Sequence, residues 1–156
     1  QLEIHCSIDF PRSRAIGSQT ISSKLSTKEF MNICNARTFC HIDDVNHMRS
    51  QGLALGGSLE NAIVVDKDHV LNPEGLRCKK EFAKHKLLDC IGDLGLLGAQ
   101  LTGKITVHKG GHSLHVAFVK KVYDHINQHQ KQENLLTNQT NSSLLFIKYL
   151  KSQAKA

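Results

Sequence analysis

Leu2, Ile4, Cys6 and Ile8 alternate with polar residues, the two-residue period of a strand with one buried face. Pro11 and Arg12-Ser-Arg14 make a turn, and Ala15 to Ser22 is predicted to return as a second strand. Ser26-Thr-Lys-Glu29 is a capping box, in which the Ser hydroxyl and the Glu side chain satisfy free N–H groups at a helix start. It predicts a short helix from about Thr27 to Asn35, followed by a brief extended piece over Arg37-Thr-Phe39. Asp43 and Asp44 open a second short helix with Val45 and Met48 three apart on one face, and Gly52, Gly56 and Gly57 punctuate its exit. Ala62 to Val65 is β-branched and reads as a strand, turning at Asp66-Lys-Asp68 into Val70 and Leu71 as a hairpin.

Phe82, Leu87, Leu88, Ile91, Leu94 and Leu97 recur near a 3.6-residue period, so the longest helix is expected from about Lys79 to Leu97, with Gly98 at its C-terminal cap. Thr102 to His108 alternates as a strand, Lys109-Gly-Gly-His112 is a loop, and Ser113 to about Gln128 is the last major helix. From His129 to Ser143 the residues turn polar and rich in Gln and Asn, which reads as a mobile linker, and Leu144 to Leu150 as a terminal helical turn or two. Strands and helices alternate without a Gly-rich nucleotide fingerprint. The expected class is α+β, a two-layer sandwich with one mostly antiparallel sheet and helices packed on one face.

Composition narrows the reading. The 156 residues suffice for one ordinary domain; with no Trp and 5% aromatics, the core rests on Leu, Ile, Val and Ala. No apolar run approaches the roughly 18 residues of a membrane span, and no basic-then-apolar leader opens the chain. The opening at Gln1, directly in an alternating segment, reads as a cut inside a longer protein. Five cysteines without a C-x-x-C pair make no disulfide framework and favour a reducing cytosol. The net charge of +6 is uneven: residues 1–66 carry six Lys/Arg against seven Asp/Glu, and residues 67–156 fourteen against seven. A basic second half suits phosphate-bearing ligands, an acidic surface or nucleic acid, and equally a solvated basic face. A nucleic-acid module is disfavoured, because aromatics interleaved with the basic residues are lacking.

Two places carry candidate chemistry. His85 and Asp89, at i and i+4 on the predicted helix, lie one turn apart on one face, where an imidazole and a carboxylate can reach one metal ion. On spacing alone a local His–Asp hydrogen bond accounts for them as well, and two ligands fall short of the three a catalytic zinc takes. Asp93 continues the same face and can orient a histidine elsewhere, or be a plain surface residue. His112 follows two glycines and precedes a helix, a place from which an imidazole can deliver a proton or stabilise developing negative charge. A capping or surface histidine in a tight loop is the alternative. His108 and His115 have proximity only.

Ala36-Arg-Thr-Phe39, Gly52-Leu-Ala-Leu-Gly-Gly-Ser58, Val70-Leu-Asn72, Glu74-Gly-Leu-Arg77, His85-Lys-Leu-Leu-Asp89, Ile91-Gly-Asp-Leu94 and Lys109-Gly-Gly-His-Ser-Leu114 occur in this order. Together they resemble the second domain of the UDP-3-O-acyl-N-acetylglucosamine deacetylases of lipid A biosynthesis, over about residues 3 to 125. The resemblance implies a C-terminal domain over 1–128 with a small β-α-β insert at about 40–65, then a polar linker and divergent tail over 129–156. It implies His85 and Asp89 as ligands of zinc (ferrous iron suits the same donors), His112 as general acid or electrostatic partner, and Asp93 as its orienting residue. It implies Thr38 as an oxyanion stabiliser, Phe39 packed on the sugar ring, and Lys86 beside the substrate. Ile42, Val45, Met48, Ala54, Gly57 and Val64 would line an apolar passage for the acyl chain, where the plain alternative is core.

The implied partners are UDP-3-O-acyl-N-acetylglucosamine and a first half of the enzyme, with no nucleic acid, at most peripheral membrane contact, and a cytoplasmic setting. The third zinc ligand and the glutamate base belong in that family to a His-Glu-His-like motif of the first half, which is absent here; His5, on the opening strand, is a poor substitute. Weak metal binding and little catalysis are therefore expected of the chain alone, and a catalytically inactive, partner-binding scaffold is the competing reading. Two departures stand out: Cys40-His41 in place of Gly-Phe, and Leu114-His115 in place of Leu-Asn.

Overall fold

A computed structural model of the chain describes residues 1–153, with side chains through residue 132. The opening alternation forms β1 (Leu2–Phe10), with Leu2, Ile4, Cys6 and Ile8 buried and the residues between them half-exposed. It pairs antiparallel with β2 (Gly17–Lys24), Ile4 opposite Ser23. Ser26 caps α1 (Thr27–Ile33), its hydroxyl accepting the Glu29 N–H at 3.2 Å as the capping box predicts. β3 (Thr38–His41), α2 (Ile42–Ser50) and β4 (Ala62–Asp66) then make a β-α-β unit in which β3 and β4 run parallel, Phe39 opposite Ile63. β5 (His69–Val70) closes the expected hairpin on β4, turning through Lys67 at φ +48°. α3 spans Glu81–Gly95, β6 Gly103–His108 and α4 His112–Gln153.

The α+β class holds, and the sheet arrangement corrects the expectation of one mostly antiparallel sheet. Two three-stranded sheets form, ordered β2-β1-β6 and β3-β4-β5, each with one antiparallel and one parallel pair. Parallel pairing needs a crossover, and the segments that supply it here, α2 and the long run from β2 to β6, carry no local pairing signal. The helix boundaries also change. α3 has 15 residues and is not the longest helix; α4 has 42 and continues to Gln153, where a linker was expected after Gln128. No Gly or Pro interrupts residues 112–153, and Lys, Gln and Leu are good helix formers, so a polar composition did not end the helix.

The chain divides into two compact units, Gln1–Val116 and the part from Ala117 on. In the first, Ile8, Ile16, Ile63, Val65, Phe82 and Ala83 form the core, so both sheets and α3 share one apolar interior. The second is the continuation of α4. Among the described residues no helix is long and apolar enough to cross a membrane.

A buried ion pair fixes β3 against α3. Glu81, in the first turn of α3, is fully buried and Arg37 is 4% exposed. Arg37 donates from Nε to Glu81 Oε1 at 3.0 Å and from Nη2 to Oε2 at 3.3 Å. The Arg37 and Arg77 backbone N–H groups add bonds of 3.1 and 2.6 Å to the same carboxylate. Arg37 also pairs with Glu74 and donates to the Gly75 carbonyl at 2.8 Å. Burial acts to raise the Glu81 pKa, but these donors outweigh it and hold the carboxyl below the usual range. The residues that follow Arg37 and Glu81, Thr38-Phe39 on one side and His85 on the other, are thereby set in register.

Candidate active site

The helical period brings His85, Lys86, Asp89 and Asp93 to one side of α3. Asp89 is the centre of this group. His85 Nε2 lies 3.3 Å from its Oδ1, Lys86 Nζ donates to its Oδ2 at 2.8 Å, and His112 Nε2 stands 4.0 Å from Oδ1. The other nitrogen of His85, Nδ1, faces the Ala36 carbonyl at 3.3 Å, a partner that would leave Nε2 as the ligating atom were a metal bound. Two ligands on a tetrahedral zinc stand about 3.3–3.5 Å apart. The His85–Asp89 separation, an imidazole nitrogen and a carboxylate, therefore fits one edge of such a site. Among the described residues no group of three or more His, Cys, Asp or Glu is gathered to hold a metal ion, so this edge is incomplete by itself.

Asp93 lies one turn further along α3 and faces the start of α4. His112 Nδ1 is 3.1 Å from its Oδ1 and 2.9 Å from its Oδ2, the pairing that the family resemblance implies. His115 Nδ1 is 2.8 Å from the same Oδ2, which proximity alone had not predicted. Burial acts to raise the Asp93 pKa, but the His115 and His112 hydrogen bonds outweigh it and hold the carboxyl below its usual range. With Nδ1 bound to Asp93, His112 presents Nε2 toward Asp89, while its side chain stays 68% exposed. His5, by contrast, projects from β1 on the face opposite Ile4 and Cys6, and its Nδ1 bonds to Ser22 at 2.6 Å.

The remaining candidates gather in one cavity of about 860 Å³. Thr38, Phe39, Ile42, Val45, Met48, Ala54, Gly57 and Val64 all line it, joined by Leu59, Ala62 and Leu71, which the sequence reading did not single out. No residue of α2 is buried, so Val45 and Met48 face the cavity and are not packed as core. Asn72 frames the opposite wall: its amide accepts the Val64 N–H at 2.9 Å and donates to the Leu59 and Ala62 carbonyls at 2.7 and 2.8 Å. Phe39 joins the cavity to the polar group, with its ring centroid 5.0 Å from Phe82 and 6.1 Å from His85. Cys40 and His41 also line the cavity, and burial raises the Cys40 thiol pKa. All five cysteines are free, and burial beside Cys6 pushes the Cys90 thiol up to about 11.

The model of the LpxC family, UDP-3-O-acyl N-acetylglycosamine deacetylase, matches residues 1–124. The chain belongs to this family. Proteins named UDP-3-O-acyl-N-acetylglucosamine deacetylase are similar to it. That of Campylobacter jejuni subsp. doylei is 52% identical over 108 residues, 69% of this chain and 37% of its own length. That of Oleidesulfovibrio alaskensis is 44% identical over 135 residues, 86% of this chain and 44% of its own. That of Bdellovibrio bacteriovorus is 44% identical over 124 residues, 79% and 41% respectively. The chain thus spans well under half the length of these relatives.

Proposed function

We propose that the chain supplies the C-terminal half of the site of a zinc-dependent hydrolase that removes acetyl from UDP-3-O-acyl-N-acetylglucosamine in lipid A biosynthesis. The observation that carries this reading is the Asp89 carboxylate with His85, Lys86 and the His112–Asp93 pair around it, adjoining an apolar cavity through Phe39. His85 Nε2 and Asp89 would hold the metal, zinc or ferrous iron, with a third ligand and a glutamate base from the first half of the enzyme. The metal, when bound, activates a water and polarises the acetamide carbonyl.

This chain's residues do the rest. The apolar cavity takes the acyl chain, and Phe39 sets the sugar at its mouth. Thr38 and Lys86 stabilise the oxygen that becomes negative as water adds to the carbonyl. His112, tied at Nδ1 to Asp93, gives a proton from Nε2 to the leaving amine, so that acetate and a free amino sugar result. The setting proposed is the cytoplasm, with at most peripheral membrane contact.

The test is acetate release from UDP-3-O-acyl-N-acetylglucosamine with zinc, by the chain alone and with a first-half domain from a related enzyme, each with a His112→Ala control. Activity only in the combined sample, lost in the variant, supports the reading. A catalytically inactive scaffold is the second reading, favoured by two ligands where a catalytic zinc takes three. No acetate in either sample, with the fold intact, would decide for it.

A further inference from the structure

His115 is the one histidine of the site that is buried, at 4% exposure, and no step above uses it. It follows His112 by three residues in the first turn of α4, so both rings lie on one face and meet the same carboxylate. Its Nε2 is buried and, among the described residues, without a hydrogen-bond partner. In the neutral ring the proton therefore belongs on Nδ1, where Asp93 Oδ2 accepts it at 2.8 Å. The ring is seated against Gly110: a Cβ there would come within 2.5 Å of His115 Nε2 and 2.3 Å of Val107 Cγ1. Of the two rings bound to Asp93, His112 is mostly exposed, whereas His115 is held by packing.

We propose that His115 is a positioning residue: it anchors Asp93 Oδ2, and the carboxylate so fixed aims His112 into the site. A ring free on all sides would reorient with the substrate; one tied at Nδ1 to an immobilised carboxylate keeps Nε2 in place. The kinetic consequence rests on the deacetylase reading above, while the structural consequence does not.

The test uses this chain with ring-15N-labelled histidine, its spectra taken in the metal-free state and acetate read in combination with a first-half domain from a related enzyme. The wild-type two-bond nitrogen–proton pattern is expected to show His115 with its proton on Nδ1; a proton on Nε2 overturns the proposal without any variant. His115→Leu is expected to lower the Nδ1–H fraction of His112, and His115→Asn, whose amide can still donate to Asp93, to retain it. In acetate release with zinc, His115→Leu should lower kcat about tenfold with KM within about twofold, and His115→Asn should recover to within about threefold of wild type. An unchanged His112 pattern in His115→Leu, or His115→Asn no better than Leu, overturns the proposal. If the wild type itself releases no acetate, the deacetylase reading fails, and the ring patterns alone decide the role of His115.

Discussion

The two parts of the candidate site are built by opposite means. Around Asp89 and Asp93 nearly every polar atom has a partner, and the side chains are held on α3 and the first turn of α4 by bonds of 2.8 to 3.3 Å. The cavity beside it is walled on one side by α2, which buries no residue, and by a loop in which Ala54 takes φ +54°. The polar half is over-determined and suits chemistry, where small displacements are costly. The apolar half is shaped by a frame of β3, β4 and Asn72 with a lightly packed helix across it, which suits a flexible chain of variable length. Position is fixed where, in the proposed reaction, protons would move, and volume alone is fixed where a hydrocarbon would lie.

That contrast can be broken from the polar side first. In the combined two-half assay, His112→Ala is expected to lower acetate release by about 10²–10⁴-fold, the usual worth of a positioned acid, with the melting temperature nearly unchanged. Glu81→Gln, which touches neither half but sets β3 against α3, leaves the buried Arg37 with Glu74 as its remaining carboxylate. It should cost about 3 kcal/mol in denaturant unfolding, the low end for breaking a buried pair because Glu74 still faces the guanidinium. The sign of its pH dependence follows from the lowered Glu81 pKa: the stabilisation is full above the unfolded carboxyl pKa and is lost as pH falls through the folded one. The variant should therefore show a shallower acid dependence than wild type, and an equally steep one would contradict the assignment.

Asn72→Ala removes three hydrogen bonds from the cavity frame and should cost about 2–3 kcal/mol, read in the same unfolding curves. It should also broaden the range of acyl lengths accepted. Met48→Ala is the smallest change. A side chain that lines a cavity without being buried should cost less than about 1 kcal/mol, yet raise KM for a long-chain substrate more than for a short one. A loss of several kcal/mol would mean that α2 is core after all.

The elements that were legible have local signals: the alternation of β1 and the capping box at Ser26 each lie within one element. The i,i+4 spacing of His85 and Asp89 put them on one helix face, but spacing alone favoured a local hydrogen bond, and their candidate metal role comes from the family resemblance. Asp93 and His112 were paired by the family resemblance, and the hydrogen bond between them is there. What escaped notice depends on distant partners. Glu81 looks like a surface residue until Arg37, 44 positions away, is seen to bury with it. His115 looks incidental until Asp93 comes to meet it from α3. The β-α-β insert and its hairpin were expected and are there as β3-α2-β4 and β4-β5. That they form a sheet of their own, and that β6 pairs parallel with β1, stayed hidden for the same reason, since a strand's partner is not written in its own residues. The length of α4 is a different case: its Gln- and Asn-rich stretch has the composition of a linker, yet no Gly or Pro breaks the helix there.

The pairing of β1 with β6, Leu2 opposite Gly103, has a kinetic meaning. The β1–β2 hairpin closes over a short turn and can form early, but its other edge stays open until about a hundred residues have been made and brought back. Closing so long a loop costs conformational entropy before any contact repays it, so sheet completion is expected to be the slow step of folding. Until β6 docks, one edge of β1 is an unpaired template for other chains. Aggregation of this chain before β6 docks should therefore begin at β1.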